Sequence, residues 1–371
     1  MLDFARAWAG GDRLALIVSG SHASGEAVWA EHEGRRVSLS DLDVVAVVPD
    51  AAAKRAARER ARAASDGLAT RLLALGLAAP LEVGFHTPAD LERMPARPAT
   101  LELRRHGAVI EGDPSWLARV PTWSARDVSA EETLLLLENR GFELIGAECL
   151  RDRAGLAALQ RRHAVLKTAL DLAGIEALAA GEYPDGAAAR VARARAHRDR
   201  DPAHEPPWDE ALAWRAGVLT GDGGAAAEGE LARTIAAWVG LWRRRVGDPG
   251  DPARPFAAIA RVAARARARR RVREAVDAGR AGHAATGLLR RVAFAARGTP
   301  QHRLNASAAA YLIARAAGIA RGGAPDPALA RDCARVLRSL GIVSGGDATA
   351  RELFAAWNRG VAGGRRTEAG R

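Results

Sequence analysis

The chain has 371 residues, 48% of them apolar, which is enough for two domains with buried cores, and it holds no run of eighteen or more apolar residues of the kind that spans a membrane. Its opening Met1-Leu2-Asp3 lacks the basic-then-apolar layout of a secretory signal, and Cys149 and Cys333 are too few and too far apart for a zinc site or a disulfide framework, so a soluble cytoplasmic protein with no membrane partner is expected. The formal charge of +11 draws attention to anionic partners, but Lys54 and Lys167 are the only lysines, and arginine recurs throughout among alanine and glycine, a bias that GC-rich coding produces; nucleic acid is not the favoured partner.

In chain order, residues 14–18, 44–48, 81–85 and 108–110 are short apolar runs bounded by Gly, Pro, Asp or Ser and predict strands. Residues 51–75, with Leu68, Leu72 and Leu75 at helical spacing, predict a helix between the second and third strands. Residues 27–39 read as an inserted hairpin turning at Glu33-Gly34. From Ser129 the pattern becomes helical: Ser129 with Glu132 predicts a capping box, and Leu134, Leu137 and Ile145 form an apolar face. A second helix is expected over 155–180, with Leu159, Leu166 and Leu170 on one side and Gly181 and Pro184 closing it. Pro and Gly clusters at 201–207, 221–224, 247–255 and 321–327 separate further Ala-rich helical segments.

The chemistry concentrates near the N-terminus. Gly20-Ser21 follows the first strand: Gly20 permits close backbone approach to a phosphate, and Ser21 offers a hydroxyl and an N–H at the start of a short helix expected at 23–26. Asp41 and Asp43 are expected on the next strand, pointing the same way roughly 6 to 7 Å apart, with Leu42 and Val44 facing the core. Two like charges so placed raise each other's pKa unless a cation neutralises them, and Mg²⁺, with Mn²⁺ as its substitute, takes such oxygen ligands. A third carboxylate from a neighbouring strand completes a two-metal arrangement. Glu82 is the candidate, because Leu81, Val83 and Phe85 share the apolar face and leave it on the other; the alternative is an ordinary exposed residue of an edge strand.

The run Gly20-Ser-His-Ala-Ser-Gly-Glu26, followed by Ser40-Asp-Leu-Asp43 and Val-Val-Ala-Val-Val, resembles the polymerase-beta-type nucleotidyltransferase superfamily, particularly its small bacterial and aminoglycoside-nucleotidyltransferase-like branches. Residues 103–114 are similar to the helix, strand and Gly-x-Pro turn that close that domain. The inserted hairpin makes the spacing longer than is usual in that superfamily, and Glu stands at the third position where Asp is commoner. The resemblance implies an α+β protein: an N-terminal nucleotidyltransferase-type mixed sheet with flanking helices over 1–125, then an all-helical domain over 126–371 with a subdivision near 247–255. It implies Mg²⁺-dependent transfer of a nucleotide, AMP first among the choices, from ATP or another nucleoside triphosphate to a hydroxyl of a small molecule, a protein or an RNA, with loss of pyrophosphate. Gly20 and Ser21 would then hold phosphates, Asp41, Asp43 and Glu82 the metal, and Lys167 would reach the triphosphate from the helical part. The alternative for Lys167 is a surface pair with Asp171 at i+4.

Arg140 of Asn139-Arg140 reads as an interface or surface residue rather than a cleft group, and Arg261, Arg265, Arg269 and Arg273 read as a solvated helical stripe rather than a phosphate-contacting one. The stretches 198–204 and 297–302 match the Arg-x-His spacing of helical ribonuclease toxins only as chance allows in so arginine-rich a chain. The second functional hypothesis is a catalytically inactive nucleotidyltransferase-fold module, regulatory, antitoxin-like or nucleic-acid-binding.

Overall fold

Strand β4 (Leu42–Val47) is apolar at every position but Asp43, and a strand apolar on both parities has to be covered on both faces. In the computed structural model, which describes residues 1–64, 66–197, 205–217, 221–246, 300–320, 350–351 and 353–355, it is so covered. The segments 247–255, 261–273 and 321–327, the stretch 198–204 and Cys333 lie outside the described residues.

The sheet has four strands in the order β5-β4-β1-β6. Strand β1 (Ala15–Ser19) runs antiparallel to β4 and to β6 (Ala108–Gly112), and β4 runs parallel to β5 (Leu81–His86), so the sheet is mixed. On one face Leu16, Val44, Ala46, Leu81 and Phe85 pack against Ala5 and Trp8 of α1 (Leu2–Ala9), Ala57 of α3 (Ala51–Ala63) and Leu72 of α4 (Leu68–Ala74). On the other, Ala15, Ile17, Val45 and Val47 pack against Leu91 of α5 (Pro88–Glu92), Leu103 of α6 (Pro98–His106) and Val120. This corrects the expectation of one packing face and one binding face. Asp43 shares its parity with Val45 and Val47, so any site is confined to the end of the sheet where Asp43 sits.

Two helices stand where a continuous one was expected over 51–75. Asp50 caps α3 by accepting the N–H groups of Ala52 and Ala53, each at 2.9 Å. Helix α4 begins after Gly67, whose φ of +65° falls in the left-handed region that glycine adopts without a Cβ clash. The inserted hairpin is present as β2 (Trp29–His32) and β3 (Arg35–Ser38), turning through Glu33 (φ +50°) and Gly34 (φ +70°), the two successive positive φ values of a type I′ turn.

Beyond residue 126 every described element is helical: α7 (Ala130–Cys149), α8 (Leu156–Ala179), α9 (Ala187–His197), α10 (Trp208–Arg215), α11 (Ala225–Val246) and α12 (Pro300–Ala320). The Ser129 hydroxyl accepts the Glu132 N–H at 3.2 Å as the capping box requires, while the Glu132 carboxylate pairs with Arg97 at 2.8 Å. Leu159, Leu166 and Leu170 of α8 pack with Val191 of α9, Trp208 and Trp214 of α10, and Val28 and Leu39 at the base of the hairpin. Among the described residues no helix is long and apolar enough to cross a membrane.

By contacts the chain forms two compact units, each assembled from separate segments. The first, Met1–Leu136 with Leu150–Asp201 and Pro207–Glu230, holds the sheet, the hairpin and α8 to α10. It contains a buried ion pair, Arg162 with Glu230 at 2.7 Å. The second includes Leu137–Cys149 and the described residues of Leu231–Arg371. There Trp238 donates its indole N–H to the Leu137 carbonyl at 2.7 Å and stacks on Trp242, and Arg315 pairs with Glu148 at 2.9 Å.

Candidate functional site at the end of the sheet

Three strands deliver polar groups to one end of the sheet in register. Ser19, the last residue of β1, stands opposite Asp43, and Asp43 stands opposite Glu82 of β5. Residues paired in this way share a face, which is the parity that the sequence gives to Asp43 and Glu82. Asp41 lies just before the first residue of β4 rather than on the strand.

At the same end the chain leaves β1 through Gly20, with φ +66°. The helix that follows, α2 (Gly20–Ser24), starts at Gly20 and so includes Ser21, earlier than the 23–26 expected from sequence. A Cβ on residue 20 would stand 2.5 Å from Asp43 Oδ2, so glycine is needed both for the turn and for the room the carboxylate takes. The hairpin is tied to this corner. His22 Nε2 lies 3.1 Å from Ser38 Oγ and 3.3 Å from the Ser40 carbonyl, and the Ser40 hydroxyl accepts the Val28 N–H at 3.0 Å. At the hairpin's base Val28 and Leu39 are at the same time engaged with α8, α9 and α10.

Asp43 is largely buried, and burial, then the negative charges of Asp41 and Glu82, push its carboxyl up to about 7, with Lys167 opposing and Glu102 of α6 adding to the rise. Asp41 meets a cation directly: Lys167 Nζ donates to its Oδ1 at 3.1 Å and its Oδ2 at 3.3 Å. This contact with Asp41 is one that neither sequence reading of Lys167 named. Asp171, one turn further along α8, acts electrostatically on Tyr183 and Arg190. Glu82 is exposed on the edge strand, near enough for its charge to act on Asp43. Arg140, in the second unit, pairs with Glu143.

Several polar groups around the site carry no motif. Glu102 accepts the Tyr183 hydroxyl at 2.7 Å and Arg190 at 3.4 Å. Glu26 accepts the Ala187 N–H that opens α9 at 2.8 Å and the Arg215 guanidinium at 2.7 Å. Glu26 closes the Gly20-to-Glu26 run, which was its only signal. Glu102 lies between the buried Leu101 and Leu103 and looks in sequence like any helix residue. His163, one turn before Lys167, is buried: its Nδ1 accepts the Trp214 indole N–H at 3.4 Å, and Nε2 has no hydrogen-bond partner. Burial, together with Lys167 and Arg215, holds the imidazole down at about 3 against the pull of Asp41, so it is neutral beside the Lys167 ammonium.

Among the described residues no group of three or more His, Cys, Asp or Glu side chains converges closely enough to cage a metal ion. Mg²⁺ is usually bound by one or two carboxylates with waters and substrate phosphates rather than by an all-protein cage. Asp41 and Asp43, carboxylates whose mutual repulsion is written into the raised Asp43 carboxyl, are a donor set of that kind. No family model matches the chain, and no curated protein matches it.

Proposed function

We propose that the protein is a Mg²⁺-dependent nucleotidyltransferase that moves a nucleoside monophosphate, AMP in the first instance, from a nucleoside triphosphate to a hydroxyl acceptor and releases pyrophosphate. The observation that carries this reading is the crowding of Asp43 by Asp41 and Glu82 beside the Gly20 turn, with Lys167 set on Asp41. Negative charge held together by burial is costly unless something cationic joins it, and a polyphosphate brought with its counter-ion supplies that need.

In this reading Asp41 and Asp43 hold the divalent ion, and Gly20 lets the backbone approach the phosphates with the Ser21 hydroxyl and N–H beside it. The ion, when bound, supplies charge neutralisation on the polyphosphate. Lys167 offers a second cation to the phosphates. The acceptor oxygen attacks the α-phosphorus in line, forming the new P–O bond as the bond from the α-phosphorus to the bridging oxygen breaks and pyrophosphate leaves. The hydroxyl proton passes to a carboxylate, for which Glu82, exposed and in register with Asp43, is the candidate base.

One observation favours the inactive-module alternative: Glu82 stands exposed on the edge strand, outside any three-ligand cluster. Calorimetric titration with ATP, with and without Mg²⁺, tests the proposal. Metal-dependent binding that Asp41→Ala abolishes is expected; heats that neither Mg²⁺ nor the substitution changes would reject it.

A further inference from the structure

Both oxygens of Asp41 are engaged by one ammonium, with Lys167 Nζ at 3.1 and 3.3 Å. The two side chains are 22% and 30% exposed, so the pair is only partly screened by water, and the ammonium stands over the oxygens that a cation at this carboxylate would use. The identity of the residue is informative in its own right. Lysine occurs twice in a chain with 55 basic residues, and the other, Lys54, is paired with Asp90 at 2.9 Å. An arginine at 167 would grip Asp41 with a planar, two-pronged fork; lysine is a point charge on a flexible stem whose three donors can be passed from one anion to another.

We infer that Lys167 is the resident counter-ion of Asp41, which keeps a bare divalent cation off the site and admits it only with a nucleoside triphosphate, whose phosphates draw the ammonium away. This rests on the nucleotide-binding reading above. It adds an order of events: the metal–nucleotide complex is the species that enters, and free metal is not bound first. Lys167 lies on α8 between the fully buried Leu166 and Thr168, so its backbone is fixed and the exchange needs only the side chain to move.

The test measures binding, not turnover. Mn²⁺ is titrated by electron paramagnetic resonance, without nucleotide, against the wild type, Lys167→Gln, Lys167→Arg and the double variant Lys167→Gln with Asp41→Asn; Mg²⁺–ATP binding is measured in parallel by calorimetry. Removing one positive charge beside Asp41 should tighten bare Mn²⁺ binding about tenfold or more in Lys167→Gln. The double variant should lose that gain, and Lys167→Arg should exclude the bare ion as the wild type does. Mg²⁺–ATP binding should move the other way, weakening about tenfold in Lys167→Gln. An arm that needs no variant keeps the test open if Lys167→Gln does not fold: wild-type Mn²⁺ affinity should rise about tenfold or more when a non-hydrolysable ATP analogue is present. Wild-type protein that binds bare Mn²⁺ as tightly as with the analogue, or Lys167→Gln with unchanged bare Mn²⁺ affinity, overturns the counter-ion role and leaves the nucleotide reading standing. Wild-type protein with no Mg²⁺-dependent ATP binding overturns both.

Discussion

At the scale of single residues, Asp43 is a carboxylate placed at a cost. Its folded-state carboxyl, pushed up to about 7, lies above the ordinary value near 4, so the folded protein holds the proton more tightly than the unfolded chain. Stability from this residue is therefore fully present below about pH 4 and is lost as pH rises toward 7. Asp43→Asn should remove that loss and stabilise the protein by about 1–3 kcal/mol at pH 8, with little change at pH 4, as read by urea unfolding. A variant less stable than the wild type at pH 8 would mean that the carboxylate is not crowded as described. The Asp41 and Asp43 pair was legible because a two-residue carboxylate spacing is a local fact; the contact of Lys167 with Asp41 was not, since the sequence offered the triphosphate or Asp171 as its partner. Glu102 was not, because it matters only through where α6 lies against the end of β1.

At the scale of elements, the hairpin was legible because Glu33-Gly34 states its own turn chemistry, and the helix over 155–180 because its leucines repeat. The double-faced packing of β4 was there to be read in its continuous apolar run, against the single packing face that the Asp41 and Asp43 spacing suggested; the break at Gly67 was not legible, because Leu68, Leu72 and Leu75 all follow it and none marks the end of the first helix. The helix that carries Lys167 also carries an acid-sensitive point. His163 is held at about 3 and His86, at the end of β5, at about 4, in both cases chiefly by burial and by a neighbouring lysine. Both lie below the ordinary imidazole value near 6.5, so the unfolded chain binds the extra protons and stability falls as pH drops below about 6.5. His163 alone should account for roughly 2–3 kcal/mol by about pH 4.5. In His163→Gln, which keeps an acceptor for the Trp214 indole, the fall in urea midpoint between about pH 7 and pH 4.5 should be visibly shallower. An unchanged slope would assign the acid sensitivity elsewhere.

At the scale of the whole molecule, the α+β class with a small mixed sheet and a helical C-terminal region was legible from the change of period after about residue 126. The grouping of α8, α9 and α10 with the sheet was not, because Val28 and Leu39 meet Leu166 and Trp208 only once the chain has folded back. Part of the arginine excess also has a structural use that composition cannot reveal. Arg162 with Glu230, Arg190 with Glu102 and Arg215 with Glu26 place guanidinium groups inside the first unit against carboxylates. The most direct measurement of the central claim follows the α-phosphate. Protein is incubated with α-labelled nucleoside triphosphates, Mg²⁺ and a cell extract, and the label and released pyrophosphate are tracked together. Transfer of label to an acceptor, matched by pyrophosphate and lost in Asp43→Asn, is the predicted result; no transfer with any of the four nucleotides, or transfer that persists in Asp43→Asn, would contradict it.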